Sequence, residues 1–370
     1  MAGSRPPNSR RRTKATPDPP VTARWIALPD PLEPLDLHAC YTGVAEAQGP
    51  DSPPLVLVMR PARAHVSIGA SQSAAADLDT AACAARDVPV IQRPLGGGSV
   101  WVDPAQTVVC VIFPPGRHPG RPAAVFDACL PPLVATCRHF GLDARRVGAQ
   151  DVWAGGRKIL GSGAATIGGS LVFATSILRR FDAAGFAAVV RCPSEGFRQW
   201  LGEALAEGMG DWARAGVEPA DAELLPVLRA AFAPVLGGEP VDDGLTAVEH
   251  RAIREARDEL AEPLPGGTAR HVRHGLKINQ WRYLLEEADE QPALRLAVDH
   301  GRVRRIAAED ARLTGHLQAC VDEPVDGFRL EEALLQSGLG DDEARHVTRR
   351  LLTMTRDIPL AEEPAPRSDT

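Results

Sequence analysis

The feature that most limits how this chain can fold is a glycine triplet, Gly96, Gly97 and Gly98, set within Gln92-Arg-Pro-Leu-Gly-Gly-Gly-Ser-Val-Trp-Val-Asp103. Apolar residues lie on both sides of it, at 88–91 and from Val100 onward. Three residues without Cβ atoms favour a turn over a continued strand, and their N–H groups can converge on the oxygens of a phosphate or carboxylate. By itself such a triplet marks a turn and little else. Two basic residues raise it to a candidate anion site. Arg93 precedes it, and Lys158 stands isolated among small and apolar residues in a second glycine-rich segment, Gln150-Asp-Val-Trp-Ala-Gly-Gly-Arg-Lys-Ile-Leu-Gly161. That segment reads as a β-hairpin, Asp151-Val-Trp and Lys158-Ile-Leu flanking Ala154-Gly-Gly156, with Lys158 just past the turn.

The surrounding pattern is that of an α/β (α+β) fold, a mixed sheet flanked by helices. Pro54-Leu-Val-Leu-Val-Met59 is a continuous apolar run suited to a strand buried on both faces, and His65-Val-Ser-Ile-Gly69 is expected to pair beside it across an Arg60–Arg63 turn. Strands are also expected at 88–91, 107–113 and 170–174. Helices are expected at 34–47, 77–86, 122–140, 194–208, 222–235 and 246–261, the third kinked or divided at Pro131-Pro132. Thr246 and Glu249 form a capping box, with Val248, Ala252, Ala256 and Leu260 sharing one face. Pro263-Leu-Pro-Gly-Gly267 breaks the pattern and suggests a boundary. Beyond it, 275–278, 294–298 and 303–306 suggest a small antiparallel sheet, followed by helices at 309–320, 329–337 and 341–356.

A length of 370 residues suits one large domain and one smaller one. The expected division is a basic disordered tail at 1–22, a catalytic domain at 23–262, a small α+β domain at 268–357 and a second disordered tail at 358–370. The net charge of −7 argues against a general nucleic-acid binder, despite Arg10, Arg11, Arg12 and Lys14. Neither a signal peptide nor a membrane-spanning run is visible, so the expected setting is the cytoplasm, with no membrane partner. The seven cysteines form neither a CxxC pair nor a zinc-like spacing and read as reduced, mostly buried residues.

Taken in order, His65-Val-Ser-Ile-Gly-Ala-Ser-Gln72, Gln92-Arg-Pro-Leu-Gly-Gly-Gly-Ser-Val100 and Gln150-Asp-Val-Trp-Ala-Gly-Gly-Arg-Lys-Ile-Leu-Gly-Ser-Gly-Ala164 resemble the lipoate-protein ligase branch of the biotin/lipoate ligase and transferase family. Gly168-Gly-Ser-Leu-Val172 and Arg191-Cys-Pro-Ser-Glu-Gly-Phe-Arg198 extend the resemblance, and 275–335 resembles the accessory domain of lipoate ligases. The sequence departs from the family at Gln92, where an arginine is usual, at Leu95 for a small hydroxyl residue, at Gln150 for Asn, and at Gly168 for a His.

The resemblance implies two-step chemistry with ATP, Mg²⁺ and lipoate. The lipoate carboxylate attacks the α-phosphate to give lipoyl-AMP and pyrophosphate, and a lysine of an apo lipoyl-carrier domain then takes the acyl group. Lys158 is implied as the catalytic cation. Nucleotide and lipoyl binding is implied for Arg93, Gly96, Gly97, Gly98, Ser99, Val100, Trp101, Gln150, Asp151, Gly161 and Ala164. Arg93 would pair with a phosphate, Asp151 would orient Lys158 or help hold Mg²⁺, and Trp101 and Trp153 are candidates to line the acyl site. Val66, Ile68, Val100 and Leu171 are candidates to line an apolar tunnel for lipoate or octanoate. An ATP-independent octanoyl or lipoyl transferase working through Cys192, and a catalytically silent carrier-binding paralogue, are the alternatives.

Overall fold

The computed structural model describes residues 22–117, 122–262, 272, 274–278 and 282–360. Of the expected tails at 1–22 and 358–370, residues 1–21 and 361–370 lie outside the described residues, as does the expected linker at 263–267; Ile358, expected to begin the second tail, is instead buried in the C-terminal core.

Among the described residues, apolar runs interrupted by glycine turns give three sheets. The largest has eight strands in the order Val241–Asp242, Arg24–Ala27, Leu55–Met59, Gln106–Phe113, Ser170–Leu178, Arg157–Ile167, Asp151–Ala154 and Ala144–Val147. Its first three strands run parallel and the rest pair antiparallel, so it is mixed, as expected. Leu55–Met59 and residues 108–113 are apolar at every position because both faces are covered, and their side chains sort by parity. Val56, Val58, Val109, Val111 and Phe113 enter one core with helices Pro122–His139 and Asp221–Leu236. Leu55, Leu57, Met59, Cys110 and Ile112 enter another beneath helix Pro34–Glu46.

His65–Ile68 does not pair with Leu55–Met59. It forms a separate three-stranded sheet with Val90–Gln92 and Val100–Val102. The intervening Arg60–Arg63 segment is no hairpin turn: Pro61 bridges to Leu32 and the Ala62 N–H donates to the Leu32 carbonyl, which carries the chain out of the large sheet. The helix expected at 77–86 is two short ones, Ala74–Asp77 and Thr80–Ala85, because Asp79 caps the second with its side chain. Helix Pro122–His139 runs through Pro131 and Pro132 as one element, and Gly141 at φ +86° ends it.

The capping box at Thr246 and Glu249 is present, but Val248 is 59% exposed. The rest of the expected face turns inward, Ala256 fully buried and Ala252 and Leu260 half-buried, and helix Ala247–Leu260 packs on helix Pro34–Glu46 so closely that a Cβ on Gly43 would lie 2.4 Å from the Ile253 backbone. Glu249 is buried there and paired with Arg24 at 2.6 Å.

The C-terminal region has a four-stranded antiparallel sheet, Gly275–Lys277, Arg282–Glu287, Leu294–Asp299 and Arg302–Ala308, backed by helices Ala311–Leu317, Gly327–Gln336 and Asp341–Thr355 around their own core. Strand Arg282–Glu287 escapes the sequence pattern because its residues are not alternating but mostly buried, Glu286 and Glu287 included. The sheet rests on helix Glu195–Gly208: Leu284 and Ala297 join the apolar cluster of Phe197, Trp200 and Leu201, and Ser194 donates to Glu286 at 2.8 Å.

Candidate active site

Lys158 reaches the site through an irregularity in its strand. The hairpin register pairs Asp151 with Gly161, Val152 with Leu160, and Trp153 with Lys158, leaving Ile159 as the extra residue of a β-bulge. In a regular strand, residues 158 and 161 would project to opposite faces. Here Ile159 and Leu160 both enter the helix-covered core, and Lys158 joins Asp151, Trp153 and Gly161 on the opposite face. Gly155 and Gly156, at φ +55° and +75°, make the tight turn that sets this register.

The Lys158 ammonium lies 2.8 Å from Asp151 Oδ1, with both side chains partly exposed. It sits over Gly161, where a Cβ would come within 2.9 Å of Nζ. Glycine at 161 is therefore the space the ammonium occupies. Two residues along the same face is Gly163, and a Cβ there would be 3.6 Å from the Gly96 carbonyl. The glycine loop thus lies against the strand about 7 Å from Gly161, given the rise of an extended chain.

Arg93 organises that loop from within. Its guanidinium is buried, donating from Nη1 to the Ser67 carbonyl at 2.7 Å and from Nη2 to the carbonyls of Gly96 and Gly98 at 2.9 and 2.8 Å. This differs from the expected pairing with a phosphate, since both terminal nitrogens are committed to carbonyls. The consequence for the loop is electrostatic. In a trans peptide the N–H points opposite to the C=O, so drawing in the carbonyls of Gly96 and Gly98 turns out the amides of Gly97 and Ser99. Among the described residues, the amides of Gly96, Gly97, Gly98 and Ser99 have no acceptor. Among the described residues Arg93 belongs to no ion pair, and burial lowers its pKa, so a cation without a carboxylate partner there backs a ring of outward N–H groups. Gly97 needs to be glycine: it adopts φ +96°, and a Cβ would press on Arg93 Nη2 at 3.2 Å.

The neighbouring loop holds this one in place. A Cβ on Gly69 would lie 2.1 Å from the Gly97 carbonyl, and the Ala70 N–H donates to Leu95 at 3.0 Å. Gln72 accepts from the Gly69 N–H at 2.9 Å and donates to Asp77 and Ser99. Gln92 donates to the carbonyls of Ala70 and Gln72, both at 3.1 Å. The neutral amide at 92 is thus spent on loop closure. Behind Arg93 lies a buried chain, in which His38 Nδ1 is 3.0 Å from the Tyr41 hydroxyl, His38 Nε2 is 3.2 Å from His65 Nε2, and His65 Nδ1 is 3.3 Å from the Arg63 carbonyl. Since that carbonyl only accepts, His65 donates to it, His38 donates to His65, and Tyr41 donates to His38. Every bond is satisfied with both rings neutral. Burial accordingly lowers both imidazoles, His65 to about 4.

Other expected site residues fall elsewhere. Ala164 pairs with Phe173 and packs into the helix-covered core, on the face away from Lys158. Leu171 lies in that same core, so it cannot line a tunnel beside the glycine loop. Val66 and Ile68 are fully buried with the Trp101 ring in the core of the small sheet, and Trp101 Nε1 donates to Asp103 at 2.8 Å. Val100 is 38% exposed beside the loop. Gln150 is exposed, and its carbonyl accepts from Ser162 at 2.6 Å. Trp153 lies on the Lys158 face, with the Arg282 guanidinium 5.9 Å from its ring centre. Cys192 is half-buried in the apolar cluster of Phe197 and Trp200. No group of three or more His, Cys, Asp or Glu converges among the described residues. Were a Mg²⁺ to come in on phosphate oxygens, Asp151, paired with Lys158 on this face, is a carboxylate that could share in holding it.

Residues 30–210 match the family of the lipoyl protein ligase A/B catalytic domain. This region is a lipoyl protein ligase A/B catalytic domain. Solved structures share its fold. A bipartite lipoate protein ligase from Thermoplasma acidophilum, studied with its E2 lipoyl domain, is 22% identical, with a TM-score of 0.57 over 64% of this chain and 92% of that one. Lipoate-protein ligase A bound with ATP is 21% identical, with a TM-score of 0.56 over 65% and 95%. Plasmodium falciparum LipL1 in complex with lipoate is 12% identical, with a TM-score of 0.54 over 90% and 99%. Comparison with curated protein sequences finds no match. Within the catalytic domain, Gly69, Gln72 and Gly163 complete the loop geometry; their segments carry the resemblance, and 69–72 reads as a place where a ligand could approach, but no individual role follows from the sequence. Their signal is weak, because a glycine or glutamine reveals its role only once its neighbour is known. No described helix is long and apolar enough to cross a membrane.

Proposed function

We propose that this chain is an ATP-dependent lipoate-protein ligase, forming lipoyl-AMP and passing the lipoyl group to a lysine of an apo carrier domain. The observation that carries this reading is the Lys158 ammonium over Gly161, held by Asp151 and facing the same side as the outward amides of the glycine loop. Activation brings a carboxylate and a polyphosphate together, and the attack on the α-phosphate moves negative charge onto the departing pyrophosphate. A fixed ammonium and preset N–H groups stabilise that charge without rearranging at the moment of reaction. In the second step the carrier amine attacks the acyl carbon, the C–O bond to the phosphate breaks, AMP leaves, and the amine loses a proton. Lys158 then balances charge on the carbonyl and leaving phosphate, while Asp151 keeps its ammonium in place. The ATP and lipoate bound by similarly folded ligases, and the lipoyl domain of the Thermoplasma enzyme, support the same substrates here.

The C-terminal unit is proposed as the accessory domain, spanning 268–357. The functional test is to incubate the protein with ATP, Mg²⁺, and lipoate, octanoate or biotin, together with apo lipoyl-carrier domains. Pyrophosphate is measured and the carriers are weighed by mass spectrometry. Carrier modification by lipoate only when ATP is present is the expected result, with octanoate weaker and biotin inert. Modification from an acyl-carrier donor without ATP would make the protein a transferase, and no modification of any carrier would make it a silent binder.

A further inference from the structure

We infer that Arg145 is a contact for the terminal phosphates of the nucleotide, the part that leaves as pyrophosphate; this rests on the ligase reading above. Arg145 lies in Ala144–Val147, the outermost strand of the large sheet. The register places it opposite Trp153, which in turn is opposite Lys158. The flanking residues establish which way it points. Ala144 is fully buried in the helix-covered core, and Arg146 reaches Asp127 of helix Pro122–His139 at 2.6 Å. By alternation, Arg145 between them projects to the other face, that of Trp153, Asp151 and Lys158. Two strand spacings separate Arg145 and Lys158 backbones, about 10 Å. Their two long side chains can therefore meet one polyphosphate lying across Trp153.

The charge balance of the site points the same way. Lys158 is neutralised by Asp151, and Arg93 is turned inward onto carbonyls. Arg282, over the Trp153 ring, is tied to Asp299 at 2.7 Å. A triphosphate and a carboxylate converging here bring several negative charges that these groups leave uncompensated. Arg145 is exposed and belongs to no ion pair among the described residues, although Asp143 is near in sequence. A guanidinium can present two parallel N–H donors to a phosphate.

The test uses the full chain with Arg145→Ala and Arg145→Lys. Pyrophosphate release is followed against ATP concentration. Acyl transfer from preformed lipoyl-AMP to an apo carrier is measured separately. Inorganic pyrophosphate is titrated calorimetrically as a readout independent of turnover. Loss of a charge-assisted contact predicts roughly a tenfold or greater rise in KM for ATP and in the pyrophosphate Kd for Arg145→Ala. Transfer from preformed adenylate is expected at the wild-type rate, and Arg145→Lys should fall between. Unchanged pyrophosphate release and binding would overturn the inference. So would a defect confined to the transfer step, which would make Arg145 a contact for an acidic carrier. Wild-type protein that releases no pyrophosphate would instead overturn the ligase reading, and this inference with it.

Discussion

At the scale of single residues, the site depends on one ammonium and on the absence of three Cβ atoms. Lys158→Ala removes a partly exposed side chain, so the fold should survive while adenylate formation falls roughly a hundredfold or more, as measured by pyrophosphate release. A folded variant that works at the wild-type rate would exclude Lys158 from the chemistry. Gly97→Ala should act differently. It strains a backbone at φ +96° and crowds Arg93, so the loss is expected mainly in the KM for ATP and lipoate, with thermal stability reduced by about 1 kcal/mol or more. Lys158 was legible in the sequence as a basic residue alone among small neighbours. Arg93 was legible as part of the site but not in its role, because nothing in a linear string says that Gly96 and Gly98 will bring their carbonyls back to it.

At the scale of elements, the bulge at Ile159 and the buried histidine chain each lend themselves to a direct experiment. Deleting Ile159 would remove the extra residue and leave Lys158 opposite Trp153 on the Asp151 face, while taking a buried side chain out of the core. The deletion should therefore cost stability by several kcal/mol more than it costs turnover of the folded protein, whereas Ile159→Val should cost only about 1 kcal/mol and leave turnover near normal. For the histidines, the folded pKa values lie below the unfolded one, so the neutral rings contribute stability that is fully present above pH ~6.5. As pH falls below that value the unfolded chain takes up protons that the folded chain refuses, until His65 titrates near 4. Urea unfolding at pH 7.5 and 5.5 should therefore show lower stability at the acidic value, by roughly 1 kcal/mol per imidazole. Equal stability at both would mean that the rings are not held neutral. The hairpin, the capping box and the long helices were readable from local pattern. The bulge was not, since its cause is the competition of Ile159 and Leu160 for the same core.

At the scale of the whole molecule, the C-terminal sheet and the catalytic domain meet through a small apolar cluster and a buried carboxylate. Glu286 is 4% exposed and accepts from Ser194 of one unit and Arg295 of the other at 2.8 Å each. Glu286→Ala takes the acceptor from the Ser194 hydroxyl and leaves Arg295 with Glu309 alone, at 3.2 Å, and should destabilise the protein by about 1–3 kcal/mol without changing the glycine loop. A decline in melting temperature with KM for ATP unchanged is the expected pairing. The division into 23–262 and 268–357 is checked by limited proteolysis, in which cleavage near 263–267 should precede any cut within 88–113.

The sequence by itself determined that this is an α/β chain with a glycine loop, a basic hairpin and a second, smaller antiparallel unit, because turns, caps and apolar runs are local and act through backbone conformation. Only the tertiary structure decided which face each strand residue serves. Leu171 and Ala164 went to the helix-covered core, Lys158 and Arg145 came to the opposite face, and His65–Ile68 left the large sheet altogether. The physical reason is that face and pairing are set by register between segments far apart in the chain. A register shift of one residue reverses every side chain without altering any local preference.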